Sequence, residues 1–206
     1  WPKCVHPIRN QEHCGSCWAF AGTEVLSDRF CVFSNGSVDV ILSPQDLVSC
    51  DPSDMGCNGG RLSSEWEYMK KDGVVPDTCI PYVSGDGKVP ACPKTCKDGS
   101  PVSSHKYYAK DFKHVGGWLS THREKDIMED IYNGGPVEGA FTVYRDFMSY
   151  KSGVYHHVSG DFLGGHAIKV VGYGVDTTSG LKYWIVANSW GTEWGLDGFF
   201  WIKKGG

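Results

Sequence analysis

The sequence predicts an α+β protein whose first half is helical and whose second half is rich in strands. Helical apolar patterns occupy residues 17–30, 62–71 and 120–132, and a short helix follows Ser43. After residue 136 the pattern changes to short apolar or β-branched runs between glycines, at residues 137–143, 166–172, 183–187 and 198–202. Helices followed by strands are typical of the α+β class.

The helix ends carry recognisable signals. Ser43 and Pro44 are an N-cap and a first-turn proline, and Gly73 follows the helix at 62–71. Ser120 or Thr121 caps the helix at 120–132. Residues 76–101 are a long stretch rich in loop-forming residues, and residues 105–112 form a crossover. We therefore expect a helical domain at residues 10–108 and a β-rich domain at residues 109–206, which together make one unit.

Length and charge exclude several classes of protein. A chain of 206 residues suits one domain or two small ones that share a cleft. Its net charge of -4 gives no reason to expect nucleic acid as a partner. No apolar run approaches the roughly 20 residues that a membrane span needs. The abrupt start at Trp1-Pro2 and the end at Gly205-Gly206 suggest a processed chain.

The chain has nine cysteines, which is an odd number. In an oxidising compartment eight of them can pair in many ways, and one free thiol remains. The glycosylation sequon Asn35-Gly36-Ser37 agrees weakly with a secretory route. The cysteine usage therefore points to disulfides together with a reactive or buried thiol.

The segment Cys14-Gly15-Ser16-Cys17 has three interpretations. A thioredoxin-like redox pair needs a preceding strand, and a zinc site needs a second matching pair of ligands. The odd cysteine count favours the third interpretation, a structural Cys14 beside an unpaired nucleophile, Cys17. A helix N-terminus there stabilises a thiolate, and the Gln11 amide can reach an oxyanion. An unreactive buried thiol is the alternative.

A thiol nucleophile needs an imidazole base and a group that orients it. His166 follows a glycine pair and begins a strand, 149 residues after Cys17, which is within the spacing known for papain-type enzymes. Asn188 follows the next strand and can orient the ring, while Trp190 shields that hydrogen bond. A core histidine and a turn asparagine are the alternatives. His156 and His157 point to opposite faces of a strand, so we expect them to be surface residues.

These motifs identify a resemblance to the papain family of cysteine proteases, and within it to the cathepsin B group. The family motifs are Cys14-Gly-Ser-Cys17-Trp18-Ala19-Phe20, Gly56-Cys57-Asn58-Gly59-Gly60, Gly165-His166-Ala167 and Asn188-Ser189-Trp190-Gly191. The cathepsin B motifs are residues 124–128, 134–141 and 150–155. The resemblance implies a papain-like fold, with a helical left domain, an antiparallel barrel-like right domain and the active site in the cleft between them.

The resemblance also implies a role for individual residues. Cys17, His166, Asn188 and Gln11 are the expected catalytic residues. Gly59, Gly60 and Arg61 are expected beside the substrate backbone, Leu62, Ala140 and Gly165 in the S2 pocket, and Val143, Trp190 and Trp194 on the primed side. The implied disulfides are Cys4–Cys31, Cys14–Cys57, Cys50–Cys92 and Cys79–Cys96. No metal and no cofactor is implied.

The same resemblance implies a monomeric protease that acts on proteins and peptides. It implies a zymogen with its own propeptide, inhibition by cystatin-like proteins, and a location in lysosome-like or endosomal vesicles or outside the cell. A catalytically silent binding protein and an acyltransferase with the same Cys-His-Asn chemistry are the rival functions. The complete Gln-Cys-His-Asn set argues against the first, and the end-to-end resemblance argues against the second.

Several positions depart from the cathepsin B pattern and bear on specificity. Residues 79–92 are short and contain no histidine, whereas cathepsin B has an occluding loop with a His-His pair that binds the substrate carboxylate. We therefore expect endopeptidase activity with weak or absent carboxydipeptidase activity.

The Lys88 ammonium either binds the C-terminal carboxylate of a substrate or points into solvent. Glu12 replaces the usual glycine of the oxyanion loop. Arg61 favours acidic side chains or points to solvent, and the chain ends before the acidic S2 residue.

Overall fold

A computed structural model describes residues 1–116 and 121–205. The helices are α1 (Cys17–Phe33), α2 (Pro44–Cys50), α3 (Leu62–Lys71) and α4 (Arg123–Gly134). The strands are β1 (Val137–Tyr144), β2 (Val154–Tyr155), β3 (Phe162–Val175), β4 (Lys182–Ala187) and β5 (Phe199–Lys203). The predicted α+β class is confirmed. The predicted helix start at Ser120 lies outside the described residues.

The strands form one sheet in the order β1-β3-β4-β5-β2. The first four strands pair antiparallel, as predicted, and the short β2 pairs parallel with β5 at the edge. In the β1–β3 register Ala140 lies opposite Ala167, and Phe141 lies opposite His166. Residues of the predicted S2 pocket and the predicted base therefore lie side by side on adjacent strands.

Helices α1, α2 and α3 share one apolar core, which Ala167 of β3 joins, and the sheet shares another with Ile131 of α4. Trp18, Leu47 and Met69 are buried in a cluster between α1, α2 and α3. Phe147 and Phe200 are fully buried in a second cluster on the sheet. The division of the chain at residues 108 and 109 stays a prediction. No helix in the described part of the chain is long and apolar enough to cross a membrane.

Buried ion pairs join α1 to the sheet. The ammonium of Lys169 on β3 is 2.7 Å from Asp28 Oδ2 and 3.8 Å from Glu24 Oε2, both on α1. Lys169 is 1% exposed and Asp28 is 0% exposed. Since α1 begins at Cys17 and β3 contains His166, these ion pairs connect the two elements that carry the predicted nucleophile and base.

All nine cysteines lie in the described ranges, and eight of them form disulfides. The pairs are Cys4–Cys31, Cys14–Cys57, Cys50–Cys92 and Cys79–Cys96, the set that the family resemblance implies. Cys17 is the free cysteine. The redox-pair and zinc interpretations of the Cys14–Cys17 segment are therefore wrong, because Cys14 is bonded to Cys57.

Candidate active site

Cys17 is the first residue of α1, at the positive end of the helix dipole. The turn before it packs tightly on the loop that contains Gly59, because the Gly15 N–H donates to Cys57 O at 2.8 Å. A Cβ atom at Gly15 would lie 2.4 Å from that carbonyl oxygen, so only glycine fits there. The Cys14–Cys57 disulfide fixes the same two loops together.

The Cys17 thiol lies against β3. The backbone N–H groups of Ala167 and Trp18 favour the ionised form of the thiol. Ala167 directly follows His166, so the free thiol is beside the predicted base. Burial raises the pKa of the Cys17 thiol, and the two N–H groups counteract part of that effect.

The His166 ring is buried and enclosed by aromatic side chains. Its Nε2 atom is 2.7 Å from Asn188 Oδ1, and its ring lies 5.0 Å from the Trp190 ring and 5.9 Å from the Phe141 ring. Burial lowers the pKa of His166 to about 4, and the Asn188 hydrogen bond acts in the opposite direction. The contact at Nε2 leaves Nδ1 as the ring nitrogen that can exchange a proton with another group.

Backbone contacts fix the orientation of Asn188. The Ser189 N–H donates to Asn188 Oδ1 at 2.9 Å, so that oxygen faces Ser189 and His166 together. His166 Nε2 therefore carries the proton and donates to Asn188. The Asn188 Nδ2 atom is buried and has no hydrogen-bond partner within residues 1–116 and 121–205.

The Gln11 side chain is held at both ends of its amide. Ser189 Oγ donates to Gln11 Oε1 at 2.6 Å, and Gln11 Nε2 donates to Cys14 O at 3.0 Å. One N–H of the amide remains available. Tyr82 supports the same segment, since its hydroxyl donates to Gln11 O at 2.8 Å. No local sequence pattern indicated these roles of Ser189 and Tyr82, because both contacts join residues far apart in the chain.

The predicted substrate-contact residues differ in exposure. Ala140 and Arg61 are exposed, Leu62, Trp190 and Trp194 are partly buried, and Val143 is buried in the core of the sheet. The space where Cβ atoms would stand at Gly59 and Gly165 is open, whereas Gly60 lies against the Trp18 ring. Gly59 is in the loop that is bonded to the turn before Cys17, and Gly165 is on the strand of His166. The backbone of both glycines is therefore accessible to a substrate.

Two other polar residues that the sequence singled out, Lys88 and His157, interact with neighbouring side chains. Lys88 is exposed and pairs with Asp86 at 3.5 Å, which agrees with the solvated alternative. His157 stacks on Tyr144 with ring centroids 3.6 Å apart and lies 3.2 Å from Asp146. Across the described residues no cluster of three or more His, Cys, Asp or Glu side chains could hold a metal ion.

Comparison with known proteins gives relatives along the whole chain. It is 46% identical over 205 residues to Cathepsin B-like CP3 and 42% identical over 206 residues to Cathepsin B-like CP2, both of Giardia intestinalis. It is 40% identical over 219 residues to Cathepsin B of Dictyostelium discoideum. These alignments cover 99%, 100% and 100% of the chain and 66%, 66% and 68% of the three relatives, respectively.

A solved structure gives the same result for the fold. The proCathepsin B S9 structure from Trypanosoma congolense superposes with a TM-score of 0.87 at 36% identity, covering 100% of this chain and 70% of that one. The family model described as papain family cysteine protease matches residues 2–206. The chain therefore belongs to the papain family of cysteine proteases, among its cathepsin B-like members.

Proposed function

We propose that the chain is a cysteine endopeptidase that hydrolyses protein and peptide bonds through a thioester on Cys17. The observation that carries the proposal is the free Cys17 thiol, held at the start of α1 beside the His166–Asn188 hydrogen bond. Nucleophile, base and orienting amide are the three parts that this chemistry requires.

The geometry supports a sequence of proton transfers. His166 Nδ1 takes the thiol proton, and the thiolate sulfur attacks the carbonyl carbon of the substrate. The oxyanion is stabilised by the free N–H of the Gln11 amide and the backbone N–H of Cys17. The imidazolium then protonates the leaving amine. Water, deprotonated by His166, attacks the thioester and releases the acid and the thiol.

Burial sets the electrostatics of this step. It raises the pKa of the Cys17 thiol and lowers that of His166, so each group is neutral when it titrates alone. Moving the proton from sulfur to nitrogen creates two opposite charges side by side, which stabilise one another. The start of α1 adds a favourable dipole. We expect the ion pair to form as substrate closes the cleft.

The substrate-contact roles follow from the exposed positions. Gly59 and Gly60 hydrogen-bond the substrate backbone, Leu62, Ala140 and Gly165 line the S2 pocket, and Trp190 and Trp194 line the primed side. Val143 is buried, so it contributes to the primed side only through the packing of the side chains that line it. Arg61 lies at the start of α3 with its N–H on Asp54 Oδ1 at 2.8 Å, and its exposed side chain is available to an acidic substrate residue.

The endopeptidase assignment is supported by the stretch at residues 79–92. It contains no histidine, and its contacts tie it to the helical part of the chain. Gln45 on α2 accepts from the N–H groups of Val83 and Ser84 at 2.9 and 3.1 Å, and the Gly85 carbonyl accepts from His13 N–H at 2.9 Å. We propose that a stretch held in this way leaves the primed side open.

The nucleophile is tested by Cys17→Ser and Cys17→Ala. Both variants should lose peptide hydrolysis and labelling by a thiol-directed affinity reagent, while an intact disulfide map and cooperative unfolding show that the fold persists. Labelling of the unmodified protein should map to Cys17. Turnover by either variant would overturn the proposal, as would failure to release a carboxylic acid when water is the only acceptor.

Substrates that differ only at the C-terminus test the cleavage mode. We expect an internally quenched peptide to be cut at similar kcat/KM whether it ends in a free carboxylate or an amide. Loss of about tenfold or more on amidation, with release of dipeptides, would show carboxydipeptidase activity instead.

The proposed biology is that of a secreted or vesicular zymogen. Four disulfides suit an oxidising compartment, which supports lysosome-like or endosomal vesicles or secretion. We propose a monomer that its own propeptide and cystatin-like inhibitors block at the same cleft.

A further inference from the structure

Two buried carboxyl groups meet where α3 faces β1. Glu65 lies in the first turn of α3 and is 0% exposed, and Glu138 lies on β1. The Trp66 indole donates to Glu138 Oε2 at 2.5 Å. Both oxygens of Glu65 and the Oε1 atom of Glu138 are buried, and no donor of the described chain reaches them. A carboxylate can only accept, so these oxygens need a proton of their own.

A proton on one carboxyl lets the two groups form a hydrogen bond with each other. That hydrogen bond raises the pKa of Glu65 and counteracts the increase at Glu138. Burial is the main cause of the raised pKa of each group. Two adjacent carboxyls in a site of low polarity retain a proton between them for the same reason, because ionising both would place two negative charges side by side.

The surroundings offer no cation that would replace this proton. The charges that act on Glu65 are those of Glu138, Asp54 and Cys17, all of which disfavour its ionised form. Lys169 is opposite Glu138 in the sheet, but its ammonium lies on Asp28 and Glu24. No salt bridge recorded within residues 1–116 and 121–205 involves Glu65 or Glu138.

A glycine on α1 accommodates the Glu65 carboxyl. A Cβ atom at Gly22 would lie 2.7 Å from Glu65 Oε1, so the backbone of α1 packs directly on this carboxyl. Gly22 follows Cys17 by five residues on the same helix. The carboxyl pair thus touches α1, α3 and β1 at one point, below the proposed cleft.

The two elements that the pair connects also carry the walls of the proposed S2 pocket. Leu62 precedes Glu65 by three residues on α3, and Ala140 follows Glu138 by two residues on β1, so each wall residue shares a face with its glutamate. We propose that Glu65 and Glu138 are positioning residues which, by sharing a proton, set the separation of Leu62 and Ala140 and thereby the P2 side chains that the enzyme accepts. The proposal rests on the proposed peptidase function.

Loss of the shared proton changes the pocket in a defined direction. Two buried negative charges with one donor, Trp66, repel one another and push α3 away from β1. The pocket then widens as the pH rises, and the discrimination between a small and a large P2 residue changes. Replacing Glu65 by glutamine provides an amide donor that keeps the hydrogen bond and does not titrate.

The test compares kcat/KM for peptides with Val and with Phe at P2 between pH 4.5 and 8. The unmodified enzyme should shift its Phe-to-Val ratio at least threefold across this range. The double variant Glu65→Gln/Glu138→Gln, in which neither side chain titrates, should keep the low-pH ratio throughout. Glu67→Gln, on the exposed side of the same helix, is the matched control and should follow the unmodified enzyme. A ratio that is independent of pH in the unmodified enzyme, or one that still shifts in the double variant, would overturn the proposal.

A second measurement separates this proposal from the peptidase function. In the Cys17→Ser background at pH 5, without substrate, the infrared difference spectrum between this protein and its Glu65→Gln variant should contain a protonated-carboxyl band, and the corresponding difference spectrum for Glu67→Gln should lack it. Absence of that band at pH 5 would refute the shared proton even if peptides are cleaved. If Glu65→Gln does not fold, Glu138→Gln serves, because its amide also donates without titrating.

Discussion

Glu12 holds a backbone conformation that is costly for any residue except glycine. Its φ of 54° lies in the left-handed region, and its N–H donates to Asn10 Oδ1 at 2.9 Å. It directly follows Gln11, so the strained residue is next to the proposed oxyanion donor. Its carboxylate packs against Gly85 of the stretch at residues 79–92. Strain of this kind persists where neighbouring contacts impose it.

Removing the strain at Glu12 should stabilise the fold. We expect Glu12→Gly to raise the free energy of unfolding by about 1 kcal/mol, because glycine adopts the left-handed region without penalty. Glu12→Ala removes the same carboxylate but keeps the Cβ atom, so it should stay within about 0.5 kcal/mol of the unmodified protein. Urea unfolding measures both, and equal values for the two variants would contradict the backbone explanation.

Asn188 should matter for catalysis far more than for stability. Asn188→Ala removes the acceptor that fixes His166, and we expect kcat/KM to fall roughly 100-fold, within the range for positioned acid–base catalysis. Asn133→Ala, at an exposed position on α4, is the control and should leave the rate unchanged. Steady-state kinetics on one peptide measures kcat/KM for both variants. Full activity of Asn188→Ala would show that another group orients the His166 ring.

The candidate site separates the residues that the sequence could predict from those that it could not, and the catalytic roles of the predicted residues stay predictions. Cys17, His166 and Asn188 were predicted because thiol chemistry demands those side chains at strand and helix ends, in a family with strong local motifs. Glu65 and Glu138 were not predicted as a pair, since a contact across 73 residues leaves no local pattern. Only the packing of α3 on β1 makes the two carboxyls neighbours.

Among the elements, the predicted helices and main strands exist, and the differences have physical causes. Helix α1 runs to Phe33, three residues beyond the predicted end, because no glycine or proline occurs between Phe30 and Asn35-Gly36. Strand β3 begins at Phe162, four residues early, since Gly164 and Gly165 pair with β1 although glycine disfavours strands. Strand β2 has two residues, too few for any alternation, and exists through its pairing with β5.

The junction of α1 and β3 is the element contact most sensitive to substitution. Lys169→Met would remove the ammonium from Asp28 Oδ2 and from Glu24, so that Asp28 keeps only its Oδ1 contacts with His6, and we expect a loss of about 3 kcal/mol in unfolding free energy. Lys182→Met, on the exposed side of β4, is the matched control and should stay within about 0.5 kcal/mol. Chemical denaturation gives both values. Equal values would mean that the ion pair contributes nothing to holding α1 on the sheet.

The whole molecule should be most stable in mildly acidic solution. Burial raises the pKa of Glu24 to about 7, above its unfolded value of 4.5. The folded state therefore binds this proton more tightly, so the stability from Glu24 is complete below about pH 4.5 and is lost as the pH rises to about 7. His166, with its pKa lowered to about 4, opposes this trend as the pH falls below its unfolded value of 6.5.

Replacing Glu24 isolates its share of the pH dependence. Glu24→Gln should flatten the decline of the unfolding free energy between pH 4.5 and 7, because the amide has no proton to lose. Glu129→Gln, at an exposed position on α4, should leave the slope unchanged. Denaturant titrations at several pH values provide the slopes, and an unaltered slope in Glu24→Gln would assign the decline to other groups.

The Cys14–Cys57 disulfide has a consequence for handling the protein. A thiolate attacks any disulfide that it can approach, and Cys17 is only three residues from this one. Cys14 is 4% exposed, so packing limits the access of a reductant to its sulfur, whereas Cys17 is partly exposed. A weak thiol reductant should regenerate an oxidised Cys17 while the disulfides remain intact. A strong reductant would also cleave Cys14–Cys57, release the loop that contains Gly59 and abolish activity although the catalytic residues are unchanged.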